Sequence, residues 1–289
     1  MTPAPRMWSV EDRVAPFLGV FQRTATRAGY DVRVIVPADE PPGFTRLRAS
    51  YRHFSPNSER FELASFRRWF EIAAVVPLDE RVILADSDLV VQGRFLEVPG
   101  ELRDTTAVVG SIGATDDVLE EGISGGFSLW TGRQLKDFCD YIVASYESVA
   151  EAPVRLHEQN RGAGTPGPGV SDMTILYRWV RDTGVPFVNS NRIIDGRYID
   201  HNFSMPGCLG AQFRTAVGLK ALRFAADGFW LTTNEGEAVR PICLHLGGRC
   251  KIIARDIEAR RRERIVMKSL YILGGRAVRR WLGRINSRP

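Results

Sequence analysis

Cysteine is scarce, with four in 289 residues: Cys139, Cys208, Cys243 and Cys250. None forms a CxxC pair, which excludes a disulfide scaffold; reduced thiols in the cytosol are the expectation. No stretch approaches the ~20 consecutive apolar residues of a membrane-spanning helix. The opening MTPAPRMWSVEDR lacks the basic-then-apolar order of a signal peptide. A soluble or peripheral cytoplasmic protein is expected. Internal repeats are absent, as are helix-turn-helix, zinc-finger and aromatic RNA-binding patterns, so nucleic acid is not an expected partner.

What the chain has is ordinary globular composition, 44% hydrophobic and 25% charged. Its charge is unevenly placed. From Lys251 onward twelve Lys/Arg stand against three Asp/Glu, a surplus of nine, so the overall +5 leaves residues 1–250 at −4. A mildly acidic body with a basic end suits contact between that end and an anionic surface.

Periodicity predicts helices over 10–28, 61–76, 134–146 and 172–183, the last capped by Ser171. Short apolar runs predict strands at Tyr30–Val36, Arg81–Ala85, Thr106–Ile112, Ser128–Thr131 and Pro241–His245, with strand and turn over Val185–Ile199. Pro37 to Gly43 reads as a loop. Alternation of helices with short apolar strands predicts an α/β fold with a mostly parallel sheet. One domain over 1–255 and a basic amphipathic tail over 256–289 are expected.

Two motifs carry chemistry. Asp86-Ser87-Asp88 directly follows the strand RVILA. In parallel sheets, ligands bind beyond the carboxyl ends of strands. Two carboxylates spaced i and i+2 there can turn toward one hard cation; Mg²⁺, with oxygen ligands near about 2.1 Å, often takes one or two carboxylates plus phosphate oxygens. About one bare DxD is expected by chance in such a chain, so the position after a buried strand is what makes it informative. The second motif, His245-Leu-Gly-Gly248-Arg-Cys-Lys251, also follows a strand. Glycine lets a backbone approach a pyrophosphate, and lysine supplies a point charge for it. HxxGxxK arises by chance in only about a few per cent of chains, which makes it the stronger signal.

Together these motifs resemble the GT-A glycosyltransferases, especially the glycogenin-like and lipopolysaccharide-galactosyltransferase group. The resemblance spans roughly residues 60–255. It implies that Asp86, Asp88 and His245 ligate Mn²⁺ or Mg²⁺. It implies that Gly248 and Lys251 contact the donor's pyrophosphate and that Ser87 is among the donor-binding residues. The metal would then act as a Lewis acid on the nucleoside-diphosphate leaving group. Arg67-Arg68 resembles the family helix from which an arginine reaches the donor; a surface arginine pair is the plain alternative. Ser124-Gly125-Gly126 resembles the family's NxG turn, with Ser124 in place of the usual Asn. Asp172 resembles the first residue of the acidic segment that contacts donor-sugar hydroxyls, while its plain reading is a residue favoured by the helix dipole. The implied activity is transfer of a hexose, with retention, from a nucleoside-diphosphate sugar (UDP favoured) to a glycan or lipid-linked acceptor. The family opens on an apolar strand; here TPAPRM is not expected to form one, and the base-binding contacts stay open.

Three segments have two readings each. Asp200-His201-Asn202 either faces an acceptor or forms a turn whose side chains bond their own backbone. Loop 158–170 is either a lid or disordered. The tail, with Val266, Leu270, Leu273, Ala277, Trp281 and Ile285 at helical spacing between arginines, lies on an anionic membrane or packs on the domain. Two other functions compete with transfer. One is a non-catalytic domain of the same fold that binds nucleotide-sugar or glycan. The other is a haloacid-dehalogenase-type phosphatase, which matches VILADSDLVV but leaves His245–Lys251 unexplained.

Overall fold

The computed structural model describes residues 6–112, 122–147 and 169–272. The strands are β1 (Arg6–Val10), β2 (Asp31–Ile35), β3 (Arg81–Ala85), β4 (Leu89–Val91), β5 (Val108–Ile112), β6 (Ile123–Thr131), β7 (Phe187–Asn189), β8 (Arg197–Ile199), β9 (Gly207–Cys208), β10 (Ala211–Gln212), β11 (Thr215–Ala216), β12 (Leu219–Lys220), β13 (Arg223–Ala225), β14 (Gly228–Thr232) and β15 (Ala238–His245). The helices are α1 (Pro16–Arg27), α2 (Pro42–Ser50), α3 (Glu59–Ala73), α4 (Gly100–Arg103), α5 (Gly132–Glu147), α6 (Asp172–Thr183) and α7 (Ala254–Glu258). Residues 262–272 are also helical. The chain divides into two compact units, and the division passes between Asp86 and Ser87.

The first unit holds residues 6–13, 30–86 and the described part of 100–191. Its six-stranded sheet runs β2-β1-β3-β6-β5-β7. Parallel pairs predominate: β1 with β2, β1 with β3 and β5 with β7, while β6 is antiparallel to both β3 and β5. The α/β expectation is met. RVILA is buried from Val82 to Ala85, as suits a strand paired on both sides. Trp69, Trp130, Phe138 and Trp179 form an aromatic cluster of stacked, tilted and edge-on pairs, with neighbouring centroids 5.0–5.8 Å apart.

The opening strand corrects the sequence reading. Residues Arg6–Val10 form β1 at the interior of this sheet, paired in parallel with β2 and β3. Met7 and Ser9 are buried, and Trp8 and Val10 pack against the core. Arg6, which breaks the apolar pattern, sits at the polar start of the strand beside Glu80 at 3.0 Å and Asp31 at 3.6 Å. The first helix correspondingly begins at Pro16, whose fixed φ suits a first helical turn, and not at residue 10. Pro42 likewise starts α2 inside the expected loop.

The second unit holds residues 14–29, 87–99 and 192–272. Its sheet runs β13-β14-β15-β4, with β8 parallel to β15. The two-stranded pairs β9–β10 and β11–β12 fill the stretch for which the sequence predicts no element. Its core includes Tyr198, Phe203, Phe213, Leu231, Leu244 and Ile257, joined from the basic end by Ile265 and Ile272. Loop residues 158–168 and tail residues 273–289 lie outside the described residues.

Candidate functional site

In the first unit the site begins where β3 ends. The Asp86 backbone N–H donates to the Gly126 carbonyl at 2.8 Å, so the first carboxylate is anchored beside the glycine pair of β6. Arg68, on α3, donates to the Asp86 carboxylate and, at 2.8 Å, to Asp172 Oδ2. Trp69 Nε1 donates to the same Asp172 oxygen at 3.0 Å. Asp172 itself is buried in the first turn of α6, behind Ser171. Sequence positions 68, 86 and 172 thus meet through side chains from three elements.

Arg67 takes another course. Successive helical residues point about 100° apart. Its Nε donates to Glu71 at 2.7 Å and its Nη2 to the Asp39 carbonyl at 3.0 Å. Of the arginine pair, Arg68 is the one that meets Asp86.

The Ser124-Gly125-Gly126 segment is strand rather than turn, because β6 extends back to Ile123. A Cβ on Gly125 would lie 2.5 Å from the Trp69 ring. Glycine at 125 therefore admits the indole, independently of any ligand. Ser124 faces Ser111 across the ladder, and its hydroxyl accepts from the Gly126 N–H at 3.4 Å.

In the second unit β4 and β15 pair antiparallel with Leu89 opposite His245. This register sets Asp88 beside the start of the HxxGxxK segment, and the Leu246 N–H donates to the Asp88 carbonyl at 3.2 Å. His245 Nε2 lies 3.2 Å from Asp88 Oδ1. Gly248, at φ +61°, opens a 3-10 turn over Gly248–Ile253 that carries Lys251 back to Asp88. Lys251 Nζ lies 3.0 Å from Asp88 Oδ2 and 4.8 Å from the centroid of the Phe17 ring. The two ends of the motif thus approach the two oxygens of one carboxylate. Ser87 is buried.

The ring orientation of His245 follows from its other nitrogen. Nδ1 lies 2.7 Å from the His201 carbonyl, which can only accept. Nδ1 therefore donates to that carbonyl, which leaves Nε2 as the ring nitrogen facing Asp88. A carboxylate and an imidazole nitrogen facing one another offer an oxygen and nitrogen donor set for a divalent metal ion. The residues fit a divalent cation.

Asp200 and Lys220 complete the surroundings of His245. The Asp200 carboxylate accepts from the His245 backbone N–H at 3.0 Å and pairs with Lys220. The segment 200–202 is thus an internal buttress, closer to the turn reading than to an acceptor face. Burial pushes the His201 ring down to about 4, so it is neutral near pH 7. Lys220 carries no sequence signal, because nothing in Gly-Leu-Lys-Ala-Leu distinguishes a buried lysine from a surface one.

No protein-family model and no curated protein matches the chain. Among solved structures, the chain is similar to glycosyltransferase GlyE of Streptococcus pneumoniae TIGR4 at 13% identity and TM-score 0.35, over 65% of this chain. It spans 45% of the length of GlyE. It is similar to the galactosyltransferase LgtC, solved with donor and acceptor sugar analogues, at 14% identity and TM-score 0.47, over 91% of this chain and 95% of that one. It is also similar to a glycosyltransferase involved in glycosylation of the major capsid of PBCV-1, at 13% identity and TM-score 0.29, over 56% and 78%. No helix among the described residues is long and apolar enough to cross a membrane.

Proposed function

We propose that the chain is a metal-dependent glycosyltransferase of the GT-A type. The observation that carries this reading is the convergence of His245 Nε2 and Lys251 Nζ, from one motif, on the two oxygens of Asp88, from the other. The β4–β15 register brings the two motifs to one carboxylate.

In this reading Asp86, Asp88 and His245 hold Mn²⁺ or Mg²⁺. The bound cation supplies Lewis-acid stabilisation of the leaving nucleoside diphosphate. Lys251 turns from Asp88 toward the pyrophosphate, and the left-handed backbone at Gly248 keeps that approach open; Ser87 lies at the same diphosphate. Arg68 is the arginine that reaches the donor, with Arg67 bracing the loop beneath it. Ser124, Gly125 and Gly126 lie against the donor sugar. Asp172 orients sugar hydroxyls, held by Trp69 and Arg68. The donor is a UDP-hexose, transfer proceeds with retention, and the acceptor is a glycan or a lipid-linked sugar. The basic end meets an anionic membrane from the cytoplasmic side. The exposed Val266, Met267, Leu270 and Tyr271 on the helical stretch 262–272 support that contact.

The test is calorimetric titration of UDP into wild type and Asp88→Ala, with Mn²⁺ and then with EDTA. Metal-dependent binding lost in the variant supports the reading. Absence of binding for both UDP and GDP in wild type overturns it. UDP binding with neither donor hydrolysis nor transfer favours the non-catalytic nucleotide-sugar domain.

A further inference from the structure

Among the described residues, Lys220–Asp200 is a fully enclosed charged pair, with both side chains at 0% exposure. Lys220 Nζ donates to Asp200 Oδ1 and, at 2.9 Å, to the Asn202 carbonyl. The ammonium also lies 5.2 Å and 5.4 Å from the centroids of the Tyr198 and Phe213 rings. Stability does not explain such a pair. Two charges taken out of water cost about as much as their attraction returns, and apolar residues of similar volume often do as well or better.

The second oxygen of Asp200 suggests what the pair is for. Asp200 Oδ2 accepts from the His245 backbone N–H at 3.0 Å. The adjoining His201 carbonyl lies 2.7 Å from His245 Nδ1. The Phe203 N–H donates to the His245 carbonyl at 2.8 Å. Segment 200–203 therefore grips His245 at its N–H, its C=O and its ring. The β8–β15 pairing ends at Ile199 opposite Cys243, so on that side of β15 segment 200–203 holds His245. Lys220 holds the segment by one carboxylate and one carbonyl.

We propose that Lys220 and Asp200 are positioning residues that set the orientation and tautomer of His245, directing Nε2 toward Asp88. The inference deepens the cation-site reading above and rests on it for its functional meaning. Neither residue touches the cation or the donor. The ammonium fixes the carboxylate, the carboxylate fixes the His245 backbone, and the carbonyl next to it fixes the ring. Outer partners of metal-bound histidines act this way, and their loss typically weakens metal binding by about 10- to 100-fold.

The test uses the full chain and the double variant Lys220→Met/Asp200→Leu, which removes both charges together and leaves no uncompensated buried ion. Mn²⁺ affinity is read by electron paramagnetic resonance, the His245 tautomer by ¹⁵N NMR without metal, and folding by calorimetry. The expected result is a folded variant with a Tm near or above wild type, Mn²⁺ affinity lowered about 10- to 100-fold, and loss of the wild-type Nδ1–H pattern. A merely structural pair would move Tm alone, so wild-type Mn²⁺ affinity in the folded double variant overturns the proposal. Should wild type bind no Mn²⁺, the cation reading falls by itself. The ring-nitrogen pattern then decides the positioning claim: unchanged overturns it, changed supports it. If the double variant does not fold, the isosteric Asp200→Asn is read by the same measurements and the same criteria.

Discussion

Asp86 and Asp88 are two residues apart, yet they belong to different compact units and have different neighbours. Asp86 ends a buried strand and is met by Arg68, whose guanidinium is shared with Asp172. Asp88 is met by His245 and Lys251, and His245 is fixed from behind by His201, Asp200 and Lys220. On the first side a guanidinium bridges two carboxylates. On the second, an imidazole is held at Nδ1 so that Nε2 faces a carboxylate. One short motif thus combines a carboxylate on a charge-bridged strand end with one facing an imidazole nitrogen, and the two halves should fail differently when altered.

The largest expected effect comes from the second unit. Asp88→Ala and His245→Ala are each expected to lower donor turnover by about 1,000-fold or more, since metal stabilisation is worth several kcal/mol. Radiolabelled sugar transfer measures it, and retained turnover in both would break the comparison. Next is the first unit's packing. Trp130 is fully buried among stacked rings, and Trp130→Ala is expected to cost about 3–5 kcal/mol of unfolding free energy. Urea denaturation followed by circular dichroism reads that loss.

Within the charge-bridged half, Asp172→Asn should be milder. It keeps an acceptor for Trp69 Nε1 but removes the negative charge facing Arg68. A folded protein with weakened donor binding is expected, and calorimetry with the donor would show it; unchanged affinity would leave Asp172 a helix-end residue. Arg67→Ala is expected to affect donor binding less than Arg68→Ala, because Arg67 is engaged with Glu71 and the Asp39 carbonyl. Equal losses would contradict the division of the pair. The smallest effect concerns the thiols. All four cysteines are buried, and burial pushes Cys139, Cys208 and Cys243 above the usual thiol range. Ellman's reagent at pH 8 should label the folded protein slowly, and rapidly only after denaturation.

Much of the frame was legible because it follows local rules. RVILA reads as a buried strand from its apolar run, and the helix at Asp172 reads from Ser171 and the periodicity after it. The opening strand was not legible. Arg6 and Ser9 interrupt its apolar pattern, and only the partners Asp31 and Glu80 explain the arginine. The short strands between residues 207 and 225 were missed because strands of two or three residues leave too little periodicity to see. In the site, Asp86, Asp88, His245 and Lys251 could be named from motif spacing. Which arginine of the pair meets Asp86, and why residue 125 is glycine, depend on α3 and Trp69.

The sequence by itself determined the residue types at the site and the strands that present them, because both are written in contiguous runs. Only the tertiary structure decided that Asp88 meets both ends of HxxGxxK and that a buried lysine far along the chain steadies His245. The register of β4 against β15 and the enclosure of Lys220 are properties of packing between distant segments, and no local pattern encodes them.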